Sequence, residues 1–465
     1  MSPARRFDLI CLGSGPASQT VATTCAKQRL QVAMIEAEAL GGTCALRGCN
    51  PKKVFTNAAA LLDQFQRATG KLTRGTDLRI EWSDLIAFQH EFTKPVPQLT
   101  LEKLQRLGIE TIQGLARFVG ANTVEVDGAQ IEADKIFIGV GAIPAPLTFP
   151  GAQFIATSDR FMELDSLPSK ILFLGGGYIS FEFAQLAVRA GVQVTIIDRH
   201  ELPLRSFDPD LVRLLMKCSK SAGIEILTQS EVCSIERRGQ HFEVQVDTAK
   251  GRVTLNAELV VHGGGRVPNV AQLNLEAAGV AAGKHGVVVN EWLQSTTNQA
   301  VYAAGDCADT GVQMLTPTAE AAARVAVLNI LEDYKKQKFP TDLRQTSMHA
   351  VDFGCVPQVV FSVPPLASVG MSEAVARDKG IDPEIRFEDL STKGEVRKLC
   401  QGAAGCKLIV DRQTNELLGA HLLGPHADEV INLFALALRA KLMTSDLKST
   451  LFAYPTMTAE YCRLL

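Results

Sequence analysis

Two glycine turns of one design, about 160 residues apart, constrain this 465-residue chain more than any other feature. The first, Gly13-Ser14-Gly15-Pro16-Ala17-Ser18, joins an apolar run at Phe7–Leu12 to a helical stretch from Pro16 to about Arg29, and Val32–Glu36 follows as a second apolar run. That order reads strand, turn, helix, strand. The second, Gly175-Gly176-Gly177-Tyr178-Ile179-Ser180, follows a run that starts at Lys170 and leads into Tyr178–Ala190 and Gln193–Asp198. In each turn the first glycine, Gly13 or Gly175, permits a tight reversal. The next one used, Gly15 or Gly177, lets the backbone approach a pyrophosphate, and the helix N-terminus behind it favours the phosphate charge. Ser18 stands where a third Gly or Ala is usual. An acid closes each second strand, Glu36 and Asp198, where a carboxylate can bind ribose hydroxyls. The repeat predicts two nucleotide-binding domains of one doubly wound α/β architecture.

The charges after the second turn point two ways. Asp198 suits a free 2′-hydroxyl, as in NAD, whereas Arg199 and Arg205 suit a 2′-phosphate, as in NADP. The balance leans to NADPH and leaves NADH use open.

Between the two turns lies Gly41-Gly42-Thr43-Cys44-Ala45-Leu46-Arg47-Gly48-Cys49-Asn50-Pro51-Lys52-Lys53. Five steps along an ideal helix separate Cα atoms by ~8.7 Å and turn ~140°. A disulfide needs Cα atoms roughly 4.4–6.8 Å apart. If Cys44 and Cys49 bridge, the helix must break between them, and Gly48 is placed to allow it. A bridge on an irregular segment suits opening and closing better than stapling. The plain alternative is two small buried hydrophobes.

Composition excludes more than it selects. A net charge of −3 gives no reason to expect nucleic acid or a membrane surface as partner. The eleven cysteines are spread thinly, with no metal-ligand spacing, so no metal site is expected and a reducing cytoplasm is. The N-terminus leads straight into a strand without a signal-peptide core, and no apolar run approaches the ~20 residues that span a bilayer. From about Thr341 the texture changes: short strand-like segments at Gln358–Ser362, Cys406–Val410 and Leu417–Leu422 lead into a helical stretch, Ala427–Lys441. This predicts a third, α+β domain.

Two nucleotide sites beside a redox cysteine pair imply an electron relay. At these residues the chain resembles the pyridine-nucleotide disulfide oxidoreductases, a family that includes glutathione, lipoamide and mercuric reductases. Gly41–Lys53 is very similar to the glutathione reductase active-site motif. Ser295–Asp306 resembles the second FAD motif, whose Asp306 would bind the ribityl chain. Gly263–Asn269, with Arg266, resembles the junction after the nicotinamide domain, and Leu315-Thr316-Pro317 a segment along the flavin. Val359–Gly370 and Leu408–Pro425 resemble the dimerising interface domain. The resemblance implies an FAD domain in two parts, 1–146 and 270–341, an NAD(P) domain at 147–269 and an interface domain at 342–465. It implies a homodimer with shared active sites. Cys49 would be the thiolate against the flavin and Cys44 the outer, substrate-attacking thiol. Lys52 and Glu182 would pair beside the flavin, Tyr178 would cover the nicotinamide pocket, and Gly42 and Thr43 would lie along FAD. The other cysteines are expected in the core.

The C-terminus departs from the family pattern. Where glutathione and lipoamide reductases carry His-Pro-Thr with a Glu five residues after the His, this chain reads Ala453-Tyr454-Pro455-Thr456-Met457-Thr458-Ala459-Glu460. Tyr454 replaces the acid/base histidine, and an ordinary tyrosine, with a pKa of about 10, is a poor base at neutral pH. Thr23 replaces a glutathione-binding arginine, while Arg324 is kept. The expected reaction is therefore NAD(P)H-driven reduction of a thiol-bound electrophile, either a disulfide or a soft metal ion such as Hg(II). A glutathione- or lipoamide-reductase-like enzyme on a small disulfide is the alternative. A non-catalytic flavoprotein sensor is a third reading, of another class.

Overall fold

The computed structural model describes residues 5–75, 78–338 and 348–465. The expected domain boundary at 341/342 lies outside them. Two compact units emerge, one built from 1–51, 90–145 and 266–353, the other from 52–89, 146–265 and 354–465.

Among the described residues the first unit holds a seven-stranded sheet. Its parallel part is Glu110–Gln113, Val32–Glu36, Arg5–Leu12, Ala129–Ile138 and Val301–Ala303. Thr123–Val126 and Arg117–Gly120 extend it antiparallel, through the hairpin turn at Asp127-Gly128. Leu9–Leu12 and Val32–Ile35 are buried without alternation, because both sheet faces are covered. One face packs Val21, Ala22 and Cys25 of the helix Pro16–Lys27 with Ala322, Ala323 and Ala326 of the helix Thr316–Lys338. Alanines there let the two helices approach closely over the sheet. Pro16 opens its helix at the first position, where a missing N–H costs nothing.

The second unit repeats the device on a smaller scale. A four-stranded parallel sheet runs Ile224–Leu227, Gln193–Ile197, Lys170–Leu174, Leu259–His262. A three-stranded antiparallel sheet, residues 230–257, accompanies it. The C-terminal part is a five-stranded antiparallel sheet backed by the helix Ala427–Arg439. That helix buries Ala427, Val430, Ile431, Phe434 and Ala437, an i, i+3, i+4, i+7, i+10 stripe that needs one apolar face only. A ring cluster of Phe55, Trp82, Phe161 and Phe183 fills the centre of this unit; truncating such a ring to alanine typically costs ~3–5 kcal/mol.

Candidate active site

The first glycine turn is built as the spacing predicts. Gly13 adopts φ 88°, and a Cβ there would lie 2.6 Å from the carbonyl oxygen of Gly139. A side chain at Gly15 would meet nothing within 4 Å, so the turn is open where a pyrophosphate would lie. Ser18 is fully buried, and its hydroxyl donates to the Leu12 carbonyl at 3.3 Å. Ser14 has a role that leaves no mark in the sequence. Its backbone N–H and its hydroxyl both donate to Glu36 Oε2, at 2.9 and 2.6 Å, and its oxygen accepts from the Gly41 N–H at 3.0 Å. One serine therefore fixes the acid at the end of the second strand and the start of the cysteine segment.

Gly42 and Thr43 open a short helix, Gly42–Arg47, which ends at Gly48. A new helix, Cys49–Ala68, begins at the next residue. The break falls where a Cys44–Cys49 bridge requires it. Both cysteines are separate thiols in this structure, Cys44 half-buried and Cys49 exposed. A hydrogen bond with Cys49 and burial push the Cys44 thiol well above its usual range, with Thr316 acting against them. Cys49 Sγ lies 3.4 Å from Thr316 Oγ1, at the N-terminus of a 23-residue helix whose dipole favours a negative sulfur. Asp306, also of this unit, is half-buried, and that burial raises its carboxyl against the pull of Arg266. Arg266 itself donates to the Ala142 carbonyl.

In the second unit, Gly175 has φ 95° and a Cβ there would lie 2.5 Å from Gly264 Cα. Tyr178 is the first residue of the helix Tyr178–Arg189 and is 46% exposed. One turn on, Glu182 is 1% exposed. Its Oε1 takes Lys52 Nζ at 2.9 Å and the backbone N–H of Phe361 at 2.9 Å. The Phe361 ring takes Lys52 Nζ at 4.5 Å and Lys53 Nζ at 3.8 Å from its centroid. Phe361 was not foreseen, since a backbone donor leaves no mark on a sequence. The same helix is held to Cys49–Ala68 again through Arg189 and Asp63, 2.6 Å apart and both nearly inaccessible. Asp198 is buried. Its Oδ1 takes the backbone N–H of His200 at 3.2 Å and lies 3.0 Å from His200 Nδ1. Arg205 Nη1 lies 3.1 Å from His200 Nε2, and Arg199 is exposed beside them.

These residues fit two dinucleotides: two glycine turns at helix N-termini, each with an acid at the end of the next strand. When bound, FAD and NAD(P)H would supply the hydride chemistry. The pyridine nucleotide-disulphide oxidoreductase family matches residues 7–323, and the dimerisation domain of the same family matches residues 356–463. The chain belongs to this family. Its members use FAD with NAD(P)H as electron donor, and this chain is an oxidoreductase of that kind. It is 31% identical over 97% of its length to a mercuric reductase of Staphylococcus aureus, covering 80% of that protein. It is 30% identical to a glutathione reductase of Burkholderia cepacia, over 98% of both chains. Among solved structures, the HOCl-induced flavoprotein disulfide reductase RclA from Escherichia coli, as a Cu(II) complex, matches with a TM-score of 0.82 and 28% identity over 99% of both chains. Among the described residues no helix is long and apolar enough to cross a membrane, and no group of three or more His, Cys, Asp or Glu could hold a metal.

The C-terminal segment of this oxidoreductase presents Tyr454, 77% exposed, with its hydroxyl 3.5 Å from Glu395 Oε1. Glu395 is bound more tightly by Lys398, at 2.7 Å. Glu460 turns inward instead: it is buried and pairs with Arg463 at 3.3 Å. Cys462 is also buried, among Cys406, Tyr461 and Leu465, so it offers no surface thiol to a substrate. The expectation that the other cysteines are core residues needs correction at three places. Cys233, Cys355 and Cys400 are only partly buried, and Cys233 lies beside Arg252 at the surface, 3.8 Å from its Nη2. Thr23 is buried on its helix, and Arg324 is exposed beside Glu320.

Proposed function

We propose that this chain is a homodimeric, NADPH-preferring flavoprotein reductase. Its Cys44–Cys49 pair passes electrons to a thiol-bound electrophile, a soft metal ion in the first place and a disulfide in the second. The observation that carries the reading is the cysteine pair split across a helix break, with Cys49 against the Thr316 hydroxyl at a helix N-terminus. A sulfur so placed is stabilised as the thiolate that lies against the flavin, and reduction of the pair frees the partner sulfur for disulfides or soft cations. Cys44 is the outer thiol in this reading. Lys52 and Glu182 hold a fixed positive charge for the reduced flavin, and Gly13, Gly15, Ser18, Glu36, Gly42, Thr43, Arg266, Asp306 and Thr316 line FAD. Gly175, Gly177, Tyr178, Asp198, Arg199 and Arg205 take the nicotinamide nucleotide.

Tyr454 favours the metal ion over a small disulfide. Releasing a thiol needs a proton donor at neutral pH, and losing general acid/base help costs ~10²–10⁴-fold. A metal leaving one thiolate for another needs no such proton. The Staphylococcus aureus relative is named a mercuric reductase and the Escherichia coli neighbour was solved with Cu(II), both in keeping with a soft or oxidising cation. The preference for NADPH rests on His200, which covers Asp198 and leaves Arg199 and Arg205 to meet a 2′-phosphate; NADH remains a slower donor.

The test is a panel of NADPH and NADH oxidation with Hg(II) in excess thiol, Cu(II) without added thiol, glutathione disulfide and lipoamide. Turnover with the metals and weak turnover of glutathione disulfide are expected. Glutathione disulfide reduced at the ~10–10³ s⁻¹ of ordinary enzymes would end the metal reading. The double variant Tyr454→His with Ala459→Glu is expected to raise disulfide turnover. An NADPH titration that yields no long-wavelength charge-transfer band would favour the sensor instead.

A further inference from the structure

A lysine lies buried in the C-terminal sheet of the second unit, far in sequence from either glycine turn. Lys407, on the strand Gly405–Asp411, is 3% exposed. Its Nζ lies 3.0 Å from Asp208 Oδ2, 2.8 Å from Asp210 Oδ2 and 3.1 Å from Glu373 Oε2. Two exposed cations, Arg213 on Asp210 and Arg377 on Glu373, share the outer carboxylates. Asp208 is 1% exposed on its side chain and has Lys407 as its cation. Burial works against the ammonium, but its hydrogen bond to Asp210 and its ion pair with Asp208 outweigh it and hold Lys407 charged above its usual range. His421, on the next strand, completes the floor. Its Nε2 lies 3.1 Å from the Met371 carbonyl, and burial lowers its pKa, so it stays neutral beside the lysine.

Asp208 is the helix cap that ends the loop after Asp198. Its Oδ1 accepts from the N–H groups of Asp210 and Leu211, which starts the helix Pro209–Ser221. Between Asp198 and Asp208 the chain carries Arg199, His200 and Arg205, and it closes back on the glycine turn. The Leu204 N–H donates to the Gly176 carbonyl at 2.9 Å, and a Cβ on Gly176 would touch Asp198 and Pro203. The loop is therefore tied to the turn at Leu204, one residue before Arg205, and ends at one carboxylate, Asp208, whose partner is Lys407. A buried charge with one main partner is the kind of contact that fixes a segment, because leaving either group unpaired is costly.

We propose that Lys407 is a positioning residue for the nicotinamide nucleotide: through Asp208 it fixes the loop 199–207, and with it the alignment of Arg205 on a 2′-phosphate. The C-terminal sheet thereby sets how well NADPH is distinguished from NADH. This rests on the reading of Arg205 as a 2′-phosphate residue.

The full-length, FAD-loaded protein tests it. Binding of 2′,5′-ADP and of ADP is measured by calorimetry for Lys407→Met, for Asp208→Asn and for the pair combined, with Arg205→Gln alongside. Asparagine keeps the helix cap, since it caps as well as aspartate, and removes only the charge. The combined variant leaves no single buried charge, so it keeps the question open to an answer if Lys407→Met does not fold. The expected result is that 2′,5′-ADP weakens about tenfold in the Lys407 and Asp208 variants while ADP changes less than about twofold. KM for NADPH should rise in step, with kcat little changed. Equal weakening of both ligands would show a merely structural lysine and overturn the proposal, as would unchanged 2′,5′-ADP binding in folded variants. If Arg205→Gln alone leaves 2′,5′-ADP binding intact, the subsite reading falls. If Arg205→Gln weakens it and the Lys407 and Asp208 variants do not, only the role of Lys407 falls.

Discussion

The two glycine turns share a backbone and differ in what holds the acid. At the first, Glu36 is held by Ser14, a residue of the turn itself, through backbone and hydroxyl. At the second, Asp198 is held by His200, two residues beyond it, and His200 meets Arg205. In one case the acid is folded into the turn. In the other it is screened by a basic loop. On the proposed reading the glycine pattern selects a pyrophosphate, whereas the partner of the strand-end acid selects the rest of the nucleotide.

The sharpest way to break this comparison is to damage both turns alike. Gly13→Val and Gly175→Val each put a side chain on a left-handed φ and drive a Cβ into backbone, so a loss of about 4 kcal/mol is expected for each. Their functional outcomes should separate. Absorbance of the purified protein should show flavin lost from the Gly13 variant and retained in the Gly175 variant, which NADPH then fails to reduce. Loss of flavin from both would mean that the turns are not independent devices.

A second contrast is alkaline stability. Burial pushes Cys25 and Cys307, both in the first unit, up to about 12. A thiol whose folded pKa is raised stays protonated in the fold while the unfolded chain ionises above its model value of 9.0. Its contribution is complete below pH 9 and is lost progressively towards pH 12. At pH 10 the two thiols together should cost about 3 kcal/mol, from ~1.4 kcal/mol per group per pH unit. After correction for the base-catalysed rise of intrinsic exchange, amide protection should therefore fall between pH 8 and pH 10 around Cys25, in the helix Pro16–Lys27, and around Cys307, just after the strand Val301–Ala303. Unchanged protection around Cys25 and Cys307 between pH 8 and pH 10 would sink the assignment to these thiols.

Smaller effects sharpen the second turn. Arg205→Gln should raise KM for NADPH about tenfold, within the worth of one charge-assisted hydrogen bond, with NADH little affected. His200→Ala uncovers Asp198 and should shift the NADPH-to-NADH ratio a few-fold towards NADH, of order 0.5–1 kcal/mol. Steady-state kinetics with both donors decides each.

Much of this was legible in the sequence. Val32–Glu36 was placed to the residue, and the strands and helices around both turns fall within two residues of expectation, because continuous apolar runs and glycine turns are local signals. The helix break at Gly48 is legible on one condition, that Cys44 and Cys49 bridge, since a disulfide cannot span five residues of continuous helix. Ser14, Phe361 and Lys407 were not. Each acts through a contact with a residue 22 or more positions away, and a backbone N–H or a buried lysine looks the same in a sequence wherever it points. Tyr454 was noticed as a departure, but not that Glu395, from another helix, would stand nearest its hydroxyl.

The inward C-terminus has a consequence for supply. Cys462 is shut inside the C-terminal core, so that thiol does not ferry a cargo to Cys44. On the metal-ion reading the ferry is borrowed: free thiols in the medium deliver the ion and carry the product away. Throughput would then track the thiol-to-metal ratio, rising from starvation, passing an optimum and falling once surplus thiol outcompetes the protein for its cargo.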